Sequence, residues 1–494
     1  MGPVVQTKYG AVRGDASDGV SRFLGIPYAA SPTGALRFGA PVPPEPWDGV
    51  RAALAFGPTP PKPTYPVPFD TLLPEPGIDG DDWLNLNVWT PDPQADGLPV
   101  MVWIHGGAFA NGNSAVPMYD GQAFARDGVV LVSINYRLGV DGFALLPDAP
   151  ANRGLLDQIA ALEWVRDNIS AFGGDPANVT IFGESAGGMS VTTLLSLRRA
   201  AGLFAKVIAQ SGAGQAAAAP ADAAMVTAEL GKVLGVEPTA SSLAALDLAD
   251  LIAAQATIRD ALAASPDPAR FGASIVASSM PLIPVLDGDL MTAPPLTSIA
   301  AGNGAEIPLL IGTNAEEFRL FLVPSGVAAL ITDEALAVMA AGIGGNEQVI
   351  AKYRENRPGA SPGDLLAALI TDRFFWMPAL AVAEARAAGP ASTYFYEFAW
   401  RSPGLGAAHA LEIPFVFDNL SAPGAEAAVG PGAPQEVADQ MHAAWVRFAS
   451  TGDPGWAAFD ASRPVRVFDA GGGSVELDQR RDEREIWPQG EPQD

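Results

Sequence analysis

Residues 181–188 read Ile-Phe-Gly-Glu-Ser-Ala-Gly-Gly, a serine held between glycines at the end of an apolar run. Two readings compete. Gly183-Glu184-Ser185-Ala186-Gly187 fits G-x-S-x-G, the sharp strand-to-helix turn that presents a nucleophilic serine, with Gly183 and Gly187 allowing the tight bend. Glycine turns that happen to contain a serine are also ordinary connections with no chemistry attached. The flanking chain decides between them.

Leu98–Ile104 (LPVMVWI) is a short run of β-formers that stops at His105-Gly106-Gly107, and Val129–Asn135 (VVLVSIN) is a second such run. Between Asn152 and Ser170, Leu156, Ile159, Leu162, Val165 and Ile169 recur by threes and fours, which predicts an amphipathic helix. Asn178–Phe182 (NVTIF) reads as a third strand and Ala186–Leu197 as a helix. Near-continuous apolar strands interleaved with helices predict an α/β fold with a central, mostly parallel β-sheet covered on both faces. Ligands bind such sheets at the carboxyl ends of the strands. HGG and GESAGG both fall there, so the serine sits in the context a nucleophile elbow requires.

Composition narrows the partners. The 494 residues are 48% apolar, ample for a large interior, and carry 29 Lys+Arg against 55 Asp+Glu, a net charge of -26. A surface this acidic repels nucleic acid and anionic membrane, so neither is expected as a partner. There is no cysteine, which excludes disulfides, thiol catalysis and thiolate–metal sites; no metal or cofactor is expected. The first residues show no basic-then-apolar leader, no apolar run of ~18 residues is evident, and Met1-Gly2-Pro3 does not fit myristoylation. The default expectation is a cytoplasmic location. The proline-rich stretches 41–47 and 58–68 read as ordered surface excursions, and the alanine-rich stretch 215–225 as helix.

A serine hydroxyl needs a base, usually a histidine oriented by a carboxylate. Only three histidines exist. His442 lies beside the stripe Val437, Met441, Trp445 and Phe448 of a predicted helix and reads as structural or surface. His409 follows the strand-like run Thr393–Trp400 in a Gly/Ala-rich loop, where this architecture keeps a base, and is favoured. The order Ser…acid…His points to PLLIGTNAEEF at 308–318, a strand followed by Glu316 and Glu317. His105-Gly106-Gly107-Ala108 ends its strand ahead of the serine, where a loop can offer backbone N–H groups to an oxyanion. With the Ala186 N–H this makes three donors, each worth ~3 kcal/mol in a transition state.

The resemblance to a known family runs through nearly the whole chain. FLGIPYAASPTGALRF at 23–38, LNLNVWTPD at 84–92, VWIHGGAF at 102–109, INYRLG at 134–139, the long segment 152–188, AQSGAG at 209–214, HALEIPFVF at 409–417 and WVRFASTGDP at 445–454 resemble the type-B carboxylesterases. That group includes bacterial p-nitrobenzyl-esterase-like enzymes and the cholinesterases. The resemblance implies an α/β-hydrolase fold over 1–494 as a single domain, with core elements about 95–215 and 305–420 and helical insertions about 215–305 and 320–390. It implies hydrolysis of small neutral carboxylic esters by water through an acyl-enzyme, with short-chain and aryl esters as expected substrates. Carbamates, amides and bulky aromatic esters are alternatives on the same residues, and a non-catalytic binding protein is a further one. Oligomeric state stays open. By position Ser185 is similar to the family nucleophile, His409 to its base, and Gly106, Gly107 and Ala186 to its oxyanion donors. The family's G-x-x-x-D-E-G appears as Gly312…Glu316-Glu317-Phe318, so Glu317 takes the acid's place. Phe318 replaces a glycine there, which leaves open which glutamate faces His409. Trp83 stands at a position usually held by cysteine. Glu184 and Ser211 match supporting positions. Ala108, Phe109, Phe318, Phe374, Phe375 and Phe415 are candidates for an apolar substrate pocket, with core packing as the competing reading for the aromatic ones.

Overall fold

Side-chain alternation along Leu98–Ile104 divides the interior in two. Val100, Val102 and Ile104 join one apolar cluster, whereas Met101 and Trp103 join another, and all five are fully buried. The same split recurs in the neighbours: Val130, Val132 and Ile134 oppose Leu131, and Val207 and Ala209 oppose Ile208. A strand buried on both faces cannot alternate apolar with polar residues, so it reads as a continuous apolar run.

The structure is a computed structural model that describes residues 2–488. Its main sheet contains β1 (Asp15–Ser17), β2 (Val20–Pro27), β3 (Asn85–Thr90), β4 (Leu98–Ile104), β5 (Val130–Ile134), β6 (Gly174–Glu184), β7 (Lys206–Gln210), β8 (Leu309–Asn314), β9 (Thr393–Phe398), β10 (Pro464–Phe468) and β11 (Ser474–Leu477). Their order across the sheet is β11-β10-β9-β8-β7-β6-β4-β5-β3-β2-β1. The run from β5 to β10 is parallel, and antiparallel pairing is confined to the two ends. Helices α1 (Arg153–Asn168) and α2 (Ala186–Ser196) cover one face, and α3 (Gln435–Thr451) covers the other. This is the α/β-hydrolase arrangement. In it, His105 follows β4, Ser185 follows β6, Ser211 follows β7, Glu317 lies just past β8, and His409 lies past β9. All five therefore leave the same edge of a parallel sheet.

Three local expectations shift. On α1 it is Leu155, not Leu156, that is fully buried beside Ile159, Leu162 and Val165, because residues four and seven apart share one helix face. The alanine-rich stretch is helical only from Pro220. Ala216 and Ala218 are buried in extended chain, with Ala218 bridged to Val285; proline suits the first turn of a helix and not its interior. The run Pro362–Arg386 is long and apolar enough by composition to cross a membrane, yet most of it is buried inside the molecule. Its Asp372 accepts from Tyr353 and Arg480. Trp83, 4% exposed, packs into the first cluster at the position where the resembled family usually has a cysteine.

A buried ion pair ties sheet to helix. Arg137, beyond β5, gives Nε and Nη2 to the two oxygens of Asp157 on α1 at 2.8 and 2.7 Å, and its own backbone N–H to Oδ2 at 3.0 Å. Both side chains are at most 1% exposed. Removing one partner leaves a desolvated charge, which costs about 3–5 kcal/mol. Asp157→Asn should lower the unfolding free energy from urea titration by about 3–5 kcal/mol, as a lower midpoint at unchanged slope; a wild-type midpoint would contradict this anchoring.

Candidate active site

Ser185 occupies the step from β6 into α2 with φ 57 and ψ -123, a region L-residues enter only when the surroundings enforce it. Its N–H donates to Gln210 O at 3.0 Å, and its carbonyl accepts from Met189 N at 2.8 Å. The turn is also crowded. A Cβ built on Gly106 would lie 2.7 Å from Glu184 O and 3.1 Å from the Ser185 Cβ, so the HGG loop and the serine turn are in direct contact and only glycine fits at 106. The N–H groups of Gly106, Gly107 and Ala186 donate no hydrogen bond to any described residue. Three unengaged donors thus belong to the serine turn and to the loop packed against it, and the serine itself is half-buried.

His409 and Glu317 come together. His409 Nδ1 stands 2.6 Å from Glu317 Oε2, and the other carboxylate oxygen accepts the Asn314 N–H at 2.7 Å. A backbone bond from His409 N to Glu317 O, 3.2 Å, reinforces the pairing. Glu317 is fully buried. Glu316 turns the other way, accepting from Ala407 N at 3.0 Å and Arg401 Nε at 3.2 Å. The structure therefore separates the two glutamates that the sequence left open.

The other imidazole nitrogen does not meet the serine. His409 Nε2 lies 3.1 Å from Glu184 Oε1, and the Ser185 hydroxyl makes no hydrogen bond among the described residues. Burial pulls the His409 pKa down, but Glu184 and Glu317 together push it up to about 9. Burial likewise drives Glu184 well above the usual carboxylate range. A residue the sequence reading missed completes the cluster. Glu412, fully buried, accepts from Gln210 Nε2 at 3.1 Å and from Asn314 Nδ2 at 2.6 Å, and burial beside Glu317 raises it to about 7. Trp445 Nε1 closes the chain on Gln210 Oε1 at 3.0 Å. The only available signal was its place three residues after His409.

The remaining candidates divide. Phe375 packs its ring 4.9 Å from His409, and Phe318 packs at a tilt against Phe321, ring centres 5.0 Å apart. Phe321, 5.4 Å from His409 and 38% exposed, went unnoticed in the sequence. Phe374 is half-buried and its carbonyl accepts from Gln215 Nε2. Ala108 is exposed. Phe109 and Phe415 are corrections. Each is fully buried, Phe109 against Phe143 and Phe415 against Phe398 and Trp400, because the apolar interior claims both rings. Ser211 is buried beside the turn, but its hydroxyl has no partner among the described residues. His442 is structural: Nδ1 faces Val416 O at 2.8 Å, and its ring packs on Phe124. No cluster of three metal-ligating side chains occurs among the described residues.

A parallel sheet with a strained serine turn at its carboxyl edge defines the class, a hydrolase of α/β-hydrolase fold. The chain belongs to the carboxylesterase family, which matches residues 1–471, and is a carboxylic ester hydrolase. It is 39% identical over 486 residues to the para-nitrobenzyl esterase of Bacillus subtilis (strain 168), covering 94% of this chain and 95% of that one. It is 34% identical to the fumonisin B1 esterase of Sphingopyxis macrogoltabida, covering 96% and 87%. A carboxylesterase structure from Geobacillus stearothermophilus superposes with a TM-score of 0.85 at 38% identity, covering 98% and 99%.

The His409 shift has a direct readout. With only three histidines, NMR titration should show His409 changing charge well above 6.5. Its raised value means it stays protonated until pH passes through that folded pKa. Glu184→Gln removes one of the charges holding the proton and should move the midpoint down toward 6.5; an unmoved midpoint would contradict the coupling. His105, whose pKa burial lowers to about 3, should remain neutral throughout.

Proposed function

We propose that this enzyme cleaves small neutral esters, short-chain and aryl esters among them, through an acyl-enzyme on Ser185. The observation that carries the reading is the 2.6 Å bond from His409 to Glu317, with the other face of the imidazole turned toward the residue that precedes Ser185. Glu317 holds the ring in one tautomer and stabilises its charged form. In its neutral form His409 then turns Nε2 from Glu184 to the serine hydroxyl and takes that proton as Oγ attacks the ester carbonyl. The oxyanion rests on the N–H groups of Gly106, Gly107 and Ala186. His409 returns the proton to the departing alcohol, and water repeats the sequence on the acyl-enzyme to release the acid.

Substrate class follows from the surroundings. The rings of Phe375 and Phe321 flank His409, a wall suited to an aryl or short acyl group. Fixed N–H donors and a net charge of -26 favour a neutral ester over an anionic one at long range. The relative named para-nitrobenzyl esterase supports an aromatic ester as first probe.

Hydrolysis of p-nitrophenyl acetate tests these assignments. Ser185→Ala and His409→Ala should each lower kcat by about 10⁴-fold or more, and Glu317→Gln by about 10⁴-fold. Glu316→Gln should stay within about threefold of wild type, since its bonds go to Ala407 and Arg401 and the site is untouched. Equal losses at 316 and 317 would overturn the assignment of the acid.

A further inference from the structure

The loop carrying Gly106 and Gly107 is wound against its own preference. Gly107, Ala108, Phe109 and Gly112 have φ of 107, 53, 58 and 97. For the alanine and phenylalanine this costs on the order of 1 kcal/mol or more each, and it persists only where neighbours enforce it. Within the loop, Gly107 O accepts from Ala110 N and Asn111 N at 3.0 and 2.8 Å. The far limb is held from outside, by residues 58–80. That segment has little regular structure beyond the short helix Phe69–Leu72, and this chain has no cysteine with which to close it.

The clasp is made of side chains. Asn111 Nδ2 donates to Pro63 O at 2.6 Å and Asn113 Nδ2 to Pro76 O at 3.0 Å. Between them one oxygen of Glu75 accepts the Gly112 N–H, and the other accepts from Asn111 Nδ2 at 3.3 Å. Lys62 Nζ stands 3.9 Å from Glu75, and both side chains are 8% exposed. A carboxylate withdrawn this far from water requires a cation and hydrogen bonds in compensation. Here it has both.

Gly112 in turn touches the donor peptide. A methyl at 112 would overlap Gly106 O and His105 Nδ1. Gly106 O belongs to the peptide plane whose N–H is that of Gly107. His105, neutral through burial, has Nδ1 2.9 Å from the same oxygen and donates to it. The plane is therefore fixed at its oxygen end by His105 and by the backbone of Gly112, and Gly112 is fixed by Glu75.

We propose that Glu75 is a positioning residue for ester hydrolysis: its carboxylate, paired with Lys62, clasps segment 58–80 to Gly112 and thereby aims the Gly107 N–H at the oxyanion. The inference rests on the acyl-enzyme reading, in which Ser185 is the nucleophile and Gly106 and Gly107 are oxyanion donors. Glu75 touches neither substrate nor reacting atoms. Because the donor matters most once the carbonyl oxygen becomes an anion, its loss falls on kcat and leaves KM nearly unchanged. A segment that only covered the site would change KM or stability instead.

The test compares Glu75→Ala, Glu75→Gln and Ser185→Ala in kcat and KM for p-nitrophenyl acetate, and in affinity for an alkylboronic acid, whose serine adduct mimics the tetrahedral anion. A whole donor is worth about 10²–10³ in kcat. Misaiming one should make Glu75→Ala about 10–100-fold slower with KM within about twofold, and should weaken boronate binding by the same factor. Glu75→Gln keeps an acceptor for the Gly112 N–H and should recover part of that loss, and it carries the comparison if the alanine variant does not fold. Wild-type kcat in Glu75→Ala, a loss carried by KM, unchanged boronate affinity, or a glutamine variant no better than alanine would each overturn the proposal. Activity retained by Ser185→Ala would instead overturn the reading beneath it.

Discussion

The backbone of Ser185 is the constraint on which the site depends. A serine at φ 57 and ψ -123 costs of order 1–3 kcal/mol, and the fold supplies this from packing on all sides. Strand β6 fixes the residue before it and α2 the residues after it, while the Gln210 carbonyl holds its N–H. The reward is geometric. The turn presents the hydroxyl at the edge of the sheet, leaves the first N–H groups of α2 free, and permits the HGG loop to approach until only glycine fits at 106. Relaxing that one residue into ordinary helical or extended backbone would separate the hydroxyl from its donors.

Electrostatics supplies the second layer. Glu184, Glu317 and Glu412 are all buried around one imidazole, where like charges cannot all ionise cheaply. Burial lifts Glu184 and Glu412 above the usual carboxylate range. Glu317 has the Asn314 N–H on one oxygen and His409 on the other. On the proposed mechanism Glu317 sits opposite the proton that must stay on Nδ1, while the burial of Glu184 and Glu412 opposes further negative charge in the pocket.

Much of this could be read from the chain because it is local. A strand buried on both faces is mostly apolar, so Leu98–Ile104 announced itself, and so did Thr393–Phe398, read two residues too long and with Glu397 buried inside it against Arg480. The Gly-x-Ser-x-Gly turn is local too. Other features were invisible because contact alone creates them. The family pattern put Glu317 in the acid's place, but Phe318 broke that pattern, and it is the exit of β8, aiming the Asn314 N–H at Glu317, that turns this glutamate toward His409. Phe415 and Phe109 have the composition of a pocket wall, but the interior holds both rings. Glu75 lies in a stretch with no signature, and Glu412 was marked only by its place after His409; each draws its meaning from partners far along the chain, Gly112 for one and Gln210 and Asn314 for the other.

The central claim is that the ester's acyl group is transferred to Ser185 before water releases it. Rapid quenching of the enzyme during turnover of a p-nitrophenyl ester, followed by digestion and mass spectrometry, tests it directly. The account predicts an added acyl mass on the peptide containing Ser185, appearing with the first burst of alcohol and disappearing as substrate is exhausted. Turnover with no acylated peptide, or with the acyl group on any other residue, would contradict it.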